Sequence, residues 1–354
     1  MKVVAVYTQL SDEDIDQILG VYDGLGELVN FVGLSAGSTN TNYRLEMTEG
    51  VFYLRVAENK ELADLVFEKR VLQLLDEKKT SFNPVRTPLM VENTIGGHFF
   101  RLANEKYAMI FPALRGRELG VFELTPRHLE EVGRFLGQCH CALQNMENMR
   151  DNPYGVQAMT GWLRKMQSDA SVSSIIDRVA SPYFELVNER TIDKLPTGII
   201  HGDMFMNNTK WHRAHLDAVF DWEMAGRDAF TLDIGIVLNA WCWKREPNPM
   251  EGTFDAELCR AIVRGYQSVR PLEPEEKQQL RNESRLAALR FMLSRVRDFE
   301  VPRAPDIQSD EVELTASQVD FLDYREYQAR YLFLSSLSQN AFEELVGLNG
   351  HAGK

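Results

Sequence analysis

Cysteine is scarce in this chain of 354 residues: four occur, Cys139, Cys141, Cys242 and Cys259. So few thiols in so long a chain make no disulfide framework, and the reading is of a reduced, cytoplasmic protein. Long apolar runs are absent. Stretches such as Ala108 to Leu114 fall well short of the about 20 residues a membrane span needs. The opening MKVVAVYTQLSDEDID lacks the apolar core and small-residue cleavage site of a signal peptide. Positive charge is also short: 39 Lys and Arg face 52 Asp and Glu, a net −13. A nucleic-acid interface needs a basic face, so neither nucleic acid nor membrane is an expected partner. A small anion held by a few local cations or by metal ions remains compatible with that charge. Both glycine-rich phosphate fingerprints are missing. Gly24-Leu25-Gly26 begins a G-x-G-x-x-G that Val29 breaks, and Leu348 stands where a P-loop ending at Gly353-Lys354 needs its first glycine. No internal repeat is evident.

What is present has ordinary globular proportions, 44% hydrophobic and 26% charged, which excludes a disordered or collagen-like chain. At roughly 150 residues per domain the length suggests two domains or one large bilobal unit. Residues 11–20 read as a helix opened by Ser11, and 61–78 as another, with Leu65, Leu72 and Leu75 near helical spacing. Between and beyond them lie strands: Val29–Leu34, Tyr43–Met47, Val51–Val56, Leu89–Asn93, Phe99–Leu102 and Tyr107–Pro112. After about residue 115 helices dominate. Thr125-Pro126 is an N-cap and N1 pair, and Leu129, Val132, Leu136, Cys139 and Leu143 form one apolar stripe. A long helix is expected from Pro274 to about Phe299. Cys139-His140-Cys141 lies in the helical stretch, where consecutive residues point apart, so helix core and flank is favoured over a metal site. The expected organisation is α+β: a β-rich lobe over residues 1–114, an α-rich lobe over 115–354, and a cleft at the link, a common place for a ligand.

The informative segment is Ile199-Ile200-His201-Gly202-Asp203-Met204-Phe205-Met206-Asn207-Asn208. Thirteen residues further comes Asp221, closing the run Ala218-Val219-Phe220. The pattern is H-x-D-x-x-x-x-N, a hairpin, then an aspartate at a strand end. The Asp-to-Asn offset is that of kinase catalytic loops. Phosphoryl transfer needs a hydroxyl held in line with the γ-phosphate of ATP and a metal bridging phosphate oxygens. Asp203 suits the base. Asn208 and Asp221 supply hard oxygen ligands for Mg²⁺, and His201 braces the loop. A structural polar loop is the alternative, and the apolar lead-in and the apolar run into Asp221 weigh against it. Upstream, Gly37, Ser38, Thr39 and Asn40 form a small-residue loop whose N–H groups suit phosphates; a plain hairpin turn is its alternative. Arg55 ends a strand where kinases keep a phosphate-pairing cation, and Glu68 on the next helix is its expected partner, against two solvated charges.

At these residues the chain resembles the aminoglycoside phosphotransferase and choline kinase superfamily, and within it the bacterial homoserine kinases of the phosphotransferase type. Phe31-Val32-Gly33-Leu34-Ser35-Ala36-Gly37-Ser38-Thr39-Asn40-Thr41-Asn42-Tyr43 is similar to the family's nucleotide loop. Ile200 to Asn208 resembles its I-H-x-D-L-F-x-x-N, Val237-Leu238-Asn239-Ala240-Trp241-Cys242 its V-x-N-D-W-C, and Ala288 to Arg295 its A-L-R-F-W-L-S-R. The likeness runs from about residue 10 to about residue 330. It implies a bilobal protein-kinase-like fold, and transfer of the ATP γ-phosphate to the hydroxyl of homoserine on the way to threonine. Choline, ethanolamine, an aminoglycoside or another amino alcohol is the alternative acceptor; a non-catalytic nucleotide-binding regulator is a third reading. Three departures bear on the acceptor: Asp221-Trp222-Glu223 in place of D-F-Y, Ala240 in place of Asp, and Arg55 in place of a neutral residue.

A zwitterionic acceptor needs a cation for its carboxylate and an acid for its ammonium. Arg290 and Arg295 lie on a mostly apolar helix, where an unpaired charge is costly. Each is a candidate to fork a carboxylate, against an internal salt bridge or a snorkelling side chain. Glu223, Asp228 and Asp233 are candidates for the ammonium, with Asp233 favoured instead as a brace of the catalytic loop, as the resemblance implies. Asn239 and Trp241 are candidates to wall the pocket, against core packing.

Overall fold

The computed structural model describes residues 2–4, 6–34, 39–78, 85–301, 311–313 and 323–349. The chain forms two compact units: Met1–Gln73 with Thr87–Arg115 and Ala304–Val319, and Leu74–Arg86 with Gly116–Arg303 and Asp320–Lys354.

The first unit opens with strand β1 (Lys2–Val4), paired antiparallel with Glu311–Glu313. Helix α1 (Asp12–Leu19) is capped as its sequence demands: the Ser11 hydroxyl accepts the Asp14 N–H at 3.2 Å. Strands β2 (Leu28–Gly33), β3 (Thr41–Met47) and β4 (Gly50–Ala57) precede α2 (Leu62–Glu77), and β5 (Phe100–Arg101) and β6 (Tyr107–Pro112) follow it. The sheet order is β2-β3-β4-β6-β5, antiparallel throughout. Tyr43 sits opposite Leu54, and Leu54 opposite Ile110. Alternation sends these residues, with Leu45, Val56 and Ala108, to one face, where they bury Ile15 and Ile18 of α1. The strand expected at Leu89–Asn93 does not form. Asn93 instead closes a turn, its backbone and side chain bonded to Gly97 at 2.8 Å each, and β5 takes the edge beside β6.

The second unit is mainly helical. It contains α3 (Pro126–Leu143), α4 (Val156–Gln167), α5 (Ser173–Glu189), β7 (Thr197–Ile200), the hairpin β8 (Thr209–His212) and β9 (His215–Val219), β10 (Gly226–Ala229) and α6 (Phe230–Trp241). A small ribbon β11 (Trp243–Arg245) and β12 (Gly252–Phe254) leads to α7 (Ala256–Gln267) and α8 (Pro274–Arg295), then α9 (Tyr324–Ser336) and α10 (Gln339–Val346). The expected stripe of α3 is buried in full. Helix α8 ends earlier than expected, and a π-helical turn, Val296–Glu300, continues it. Its Leu286, Leu289, Leu293 and Val296 join residues of α4, α5 and α6 in one core. No helix among the described residues is long and apolar enough to cross a membrane.

Candidate active site

The segment after β7 is pinned from several sides. Strand β10 pairs antiparallel with β7, Gly226 opposite Ile200, and the chain then turns at Gly202 with φ +77°. A Cβ there would meet the Met224 carbonyl at 2.9 Å, so space and dihedral both require glycine. Asp233, buried in the first turn of α6, accepts the N–H of His201 at 2.8 Å and of Gly202 at 3.0 Å. Its Oδ2 also takes Nε2–H of His140 at 3.1 Å. Burial alone would raise the Asp233 pKa, but the His140 hydrogen bond and the other donors hold it below the ordinary value. His140 Nδ1 accepts the Tyr266 hydroxyl at 2.8 Å, so its two partners select one neutral tautomer. Arg270 continues the chain, donating to Tyr266 at 3.2 Å and to Glu276 at 2.9 and 3.0 Å. His140 is the residue the sequence did not reveal. Its partners lie 93 and 126 positions away, and the only local sign was a polar side chain flanking a buried stripe.

His201, Asp203, Asn208 and Asp221 come together. The His201 ring donates from Nε2 to the Phe220 carbonyl at 3.2 Å and accepts the Asp203 N–H on Nδ1 at 3.2 Å. Burial drives its pKa down to about 4, so it is a neutral brace between the loop and the residue before Asp221. Asn208 donates Nδ2–H to the Asp203 carbonyl at 2.8 Å, with the Asp203 carboxylate at 3.5 Å. The Phe220 N–H bonds the Asn208 carbonyl at 3.0 Å, which ties the residue before Asp221 to Asn208. Asp221 has φ +67°, uncommon for a residue with a side chain and a form of strain that collects at functional sites. The packing round Asp203 pushes its pKa up to about 6, chiefly by desolvation; Arg290 and Arg295 oppose this and Glu223 adds to it.

Arg290, Arg295, Glu223 and Trp241 also gather round this loop. Arg290 is buried, donates to the Gly202 carbonyl and to Met224 Sδ, and leaves its Nε without a partner. Arg295 stacks on Tyr327, 4.2 Å from the ring centroid, and donates to the Phe291 carbonyl at 3.3 Å. Trp241 donates its indole N–H to the Met204 carbonyl at 2.8 Å, so it buttresses the loop from below. Two further candidates have other partners. The Asp228 carboxylate is engaged by Arg190 at 2.5 Å and Asn152 at 3.0 Å. Asn239 is fully buried and ties α6 to α8, donating to the carbonyls of Gly235 at 2.8 Å and Ser284 at 2.9 Å. Ala240 packs against the core cluster of α4, α5 and α8.

In the first unit, Gly37 and Ser38 lie outside the described residues. Asn40 is buried, and its amide oxygen accepts the Glu58 N–H at 3.4 Å; Thr39 takes a side-chain bond from Asn40 at 3.4 Å. Glu58 also accepts the Thr41 hydroxyl and pairs with Lys106, so this loop end is stitched to β4. Arg55 and Glu68 form the expected ion pair at 3.0 Å, with side chains 14% and 4% exposed, and Arg55 lies 5.0 Å from the Phe111 ring centroid.

The sequence family described as "Phosphotransferase enzyme family" matches residues 30–272, more than half of the chain. The chain belongs to this family. The phosphotransferase is 32% identical over 301 residues to a homoserine kinase of Parvibaculum lavamentivorans, covering 83% of this chain and 88% of that one. It is also 32% identical over 299 residues to a homoserine kinase of Methylobacterium radiotolerans, covering 84% and 88%. Among solved structures it superposes on an amicoumacin kinase with TM-score 0.71 at 14% identity, covering 94% and 97% of the two chains. A choline kinase from Cryptosporidium parvum matches with TM-score 0.57 at 14% identity, covering 96% and 97%. The phosphotransferase therefore has the protein-kinase-like fold that its motifs implied.

Proposed function

We propose that this phosphotransferase transfers the γ-phosphate of ATP to the hydroxyl of L-homoserine, with Asp203 as the base. The observation that carries the chemistry is the constellation itself: a carboxylate with a raised pKa, on a loop fixed by Asp233 and His201, with an amide and a second carboxylate beside it. A base is most effective when its pKa lies near the working pH, and about 6 suits that role. Asn208 turns its Nδ2 to Asp203, so the amide oxygen points the other way, available to a cation. Asp221, tied to it through Phe220, supplies the carboxylate. This oxygen set fits Mg²⁺, which is held by one or two protein ligands and substrate phosphates. Among the described residues no group of three or more His, Cys, Asp or Glu gathers to hold a metal, and a phosphate-bridged magnesium requires none. When bound, the ion would neutralise charge on the phosphate oxygens. Asp203 would orient the acceptor hydroxyl and take its proton. Residues 1–114 would serve as the nucleotide-binding lobe, with Gly37 to Asn40 as the phosphate loop and Arg55, oriented by Glu68, as a direct cation. Residues 115–354 would carry catalysis and the acceptor.

Homoserine is chosen because the homoserine kinases share 32% identity across most of both chains. Another small amino alcohol is the second reading, favoured by Ala240, which puts an apolar contact where the family motif carries an acid. An acceptor panel with coupled ADP detection tests the choice. Homoserine is expected to give the highest kcat/KM among homoserine, choline, ethanolamine and an aminoglycoside. Asp203→Asn is expected to lower kcat by about 10²–10⁴-fold while ATP still binds. Strong turnover of another acceptor with negligible homoserine activity would overturn the acceptor, and near-normal turnover by Asp203→Asn the base.

A further inference from the structure

The end of α8 and the turn after it hold three arginines of different standing. Arg290 and Arg295 are 1% and 7% exposed, and their guanidinium groups lie on backbone carbonyls and aromatic rings. Arg297 is different. It sits in the π-helical turn Val296–Glu300, a distortion that often marks a functional site. Its guanidinium carbon lies 4.0 Å from the Trp162 ring centroid and 5.4 Å from that of Tyr154, and the two rings meet edge to face at 5.0 Å. Its Nε and Nη2 donate to Asp298 at 2.6 and 2.8 Å. The side chains of Arg297 and Asp298 remain 29% and 37% exposed.

This pair connects to the loop of the candidate base through two side chains, Tyr154 and then Arg290. Tyr154 meets two arginines, its ring centroid 5.1 Å from the Arg290 guanidinium carbon and 5.4 Å from that of Arg297. Arg290 in turn donates to the carbonyl of Gly202, the residue before Asp203. A cation and an anion are thus presented side by side on an aromatic wall, held in place by stacking but open to solvent. An α-amino acid carries the complementary pair of charges at one end.

We propose that Arg297 and Asp298 are the clamp that reads the α-amino-acid end of the acceptor. The carboxylate takes the Nη1 edge of Arg297, because Asp298 already occupies the Nε–Nη2 edge, and the ammonium takes Asp298. Tyr154 and Trp162 keep the guanidinium in plane, as the fork geometry requires. The pair bridges itself when no acceptor is bound, so neither charge waits unpaired. The clamp rests on the homoserine reading and names the residues that enforce it. An acceptor lacking the carboxylate gains nothing from Arg297.

Steady-state kinetics on L-homoserine and on 2-aminobutane-1,4-diol, which lacks the carboxylate, test this. Slow acceptors are measured as competitive inhibitors of homoserine. Arg297→Met keeps the stem and removes the fork. It is expected to raise KM for homoserine about tenfold or more, as loss of a charge-assisted hydrogen bond should. Its kcat and its constant for the diol are expected to stay within about threefold of wild type. Asp298→Asn is expected to weaken both acceptors, since both carry the ammonium, and to spare 4-hydroxybutyrate, which lacks it. Because acceptors are compared on one variant, a folding defect lowers them together and cannot mimic the pattern. Equal losses on homoserine and the diol, or an unchanged homoserine KM in Arg297→Met, would overturn the clamp while leaving homoserine as acceptor. Absence of homoserine turnover in the wild type would overturn the homoserine reading and the clamp with it.

Discussion

His140 and His201 are both buried, and burial lowers the pKa of each, that of His201 to about 4. An unfolded histidine titrates near about 6.5. As pH falls below that value the unfolded chain takes up a proton that folded His140 refuses, so stability is lost toward acid and is complete above it. Asp203 works in the opposite sense, because its folded pKa is raised. Comparing variants removes that background. Between pH 6.5 and 5 the wild type is expected to lose up to about 1.4 kcal/mol per pH unit more than His140→Gln, measured as urea midpoints. Parallel lines would show that His140 is protonated in the fold. Asp203, Asn208 and Asp221 were legible in the sequence because their chemistry fixes both residue type and spacing along one short stretch. His140 was not, because its meaning lies in Asp233 and Tyr266, which share no local pattern with it. The partners of Asp228 and Asn239 were hidden for the same reason. An acid or amide near a motif says nothing of which way it faces, and Arg190 and the α8 backbone had already claimed them.

At the scale of elements, α3 and α7 cross closely because each brings a glycine to the contact. A Cβ on Gly133 would meet the Ile262 carbonyl at 2.0 Å, and one on Gly265 the Glu130 carbonyl at 2.1 Å. Alanine would otherwise favour a helix interior by about 1 kcal/mol. Here the backbones must part, so Gly133→Ala or Gly265→Ala is expected to cost about 1–3 kcal/mol net, seen as a lower urea midpoint. A midpoint at or above wild type would show that the crossing can relax freely. The crossing also places His140 of α3 against Tyr266 of α7, so loosening it should disturb the support of the Asp203 loop. The helices were legible from caps and stripes: Ser11 and Thr125 cap as expected, and Pro126 opens α3. Leu89–Asn93 failed as a strand because apolar content does not choose a partner: Val91 bonds Ile110 of β6 at 2.8 Å, and Asn93 then turns the chain. The π-helical turn after Arg295 had no signature, since it interrupts a register that sequence periodicity carries straight on.

For the whole molecule, the −13 charge makes a bare nucleotide polyanion a poor ligand and a metal-bridged one a suitable one. Magnesium with ATP is expected to raise the thermal midpoint, by a stabilisation of about 2.7 kcal/mol at a hundredfold excess over Kd. ATP with EDTA is expected to give a small fraction of that shift, and turnover to cease. An equal shift in EDTA would remove Asn208 and Asp221 from their proposed role. Composition alone gave four cysteines, no apolar run of membrane-spanning length and a net charge of −13. Local spacing alone placed the β-rich and α-rich stretches and the phosphotransferase motif, because propensity, capping and motif chemistry act over a few residues. Tertiary structure decided which arginine is exposed, which acids are already paired, and that a histidine of α3 fixes the loop of Asp203. Those facts depend on burial and on contacts across 38 to 126 residues, which no local pattern encodes.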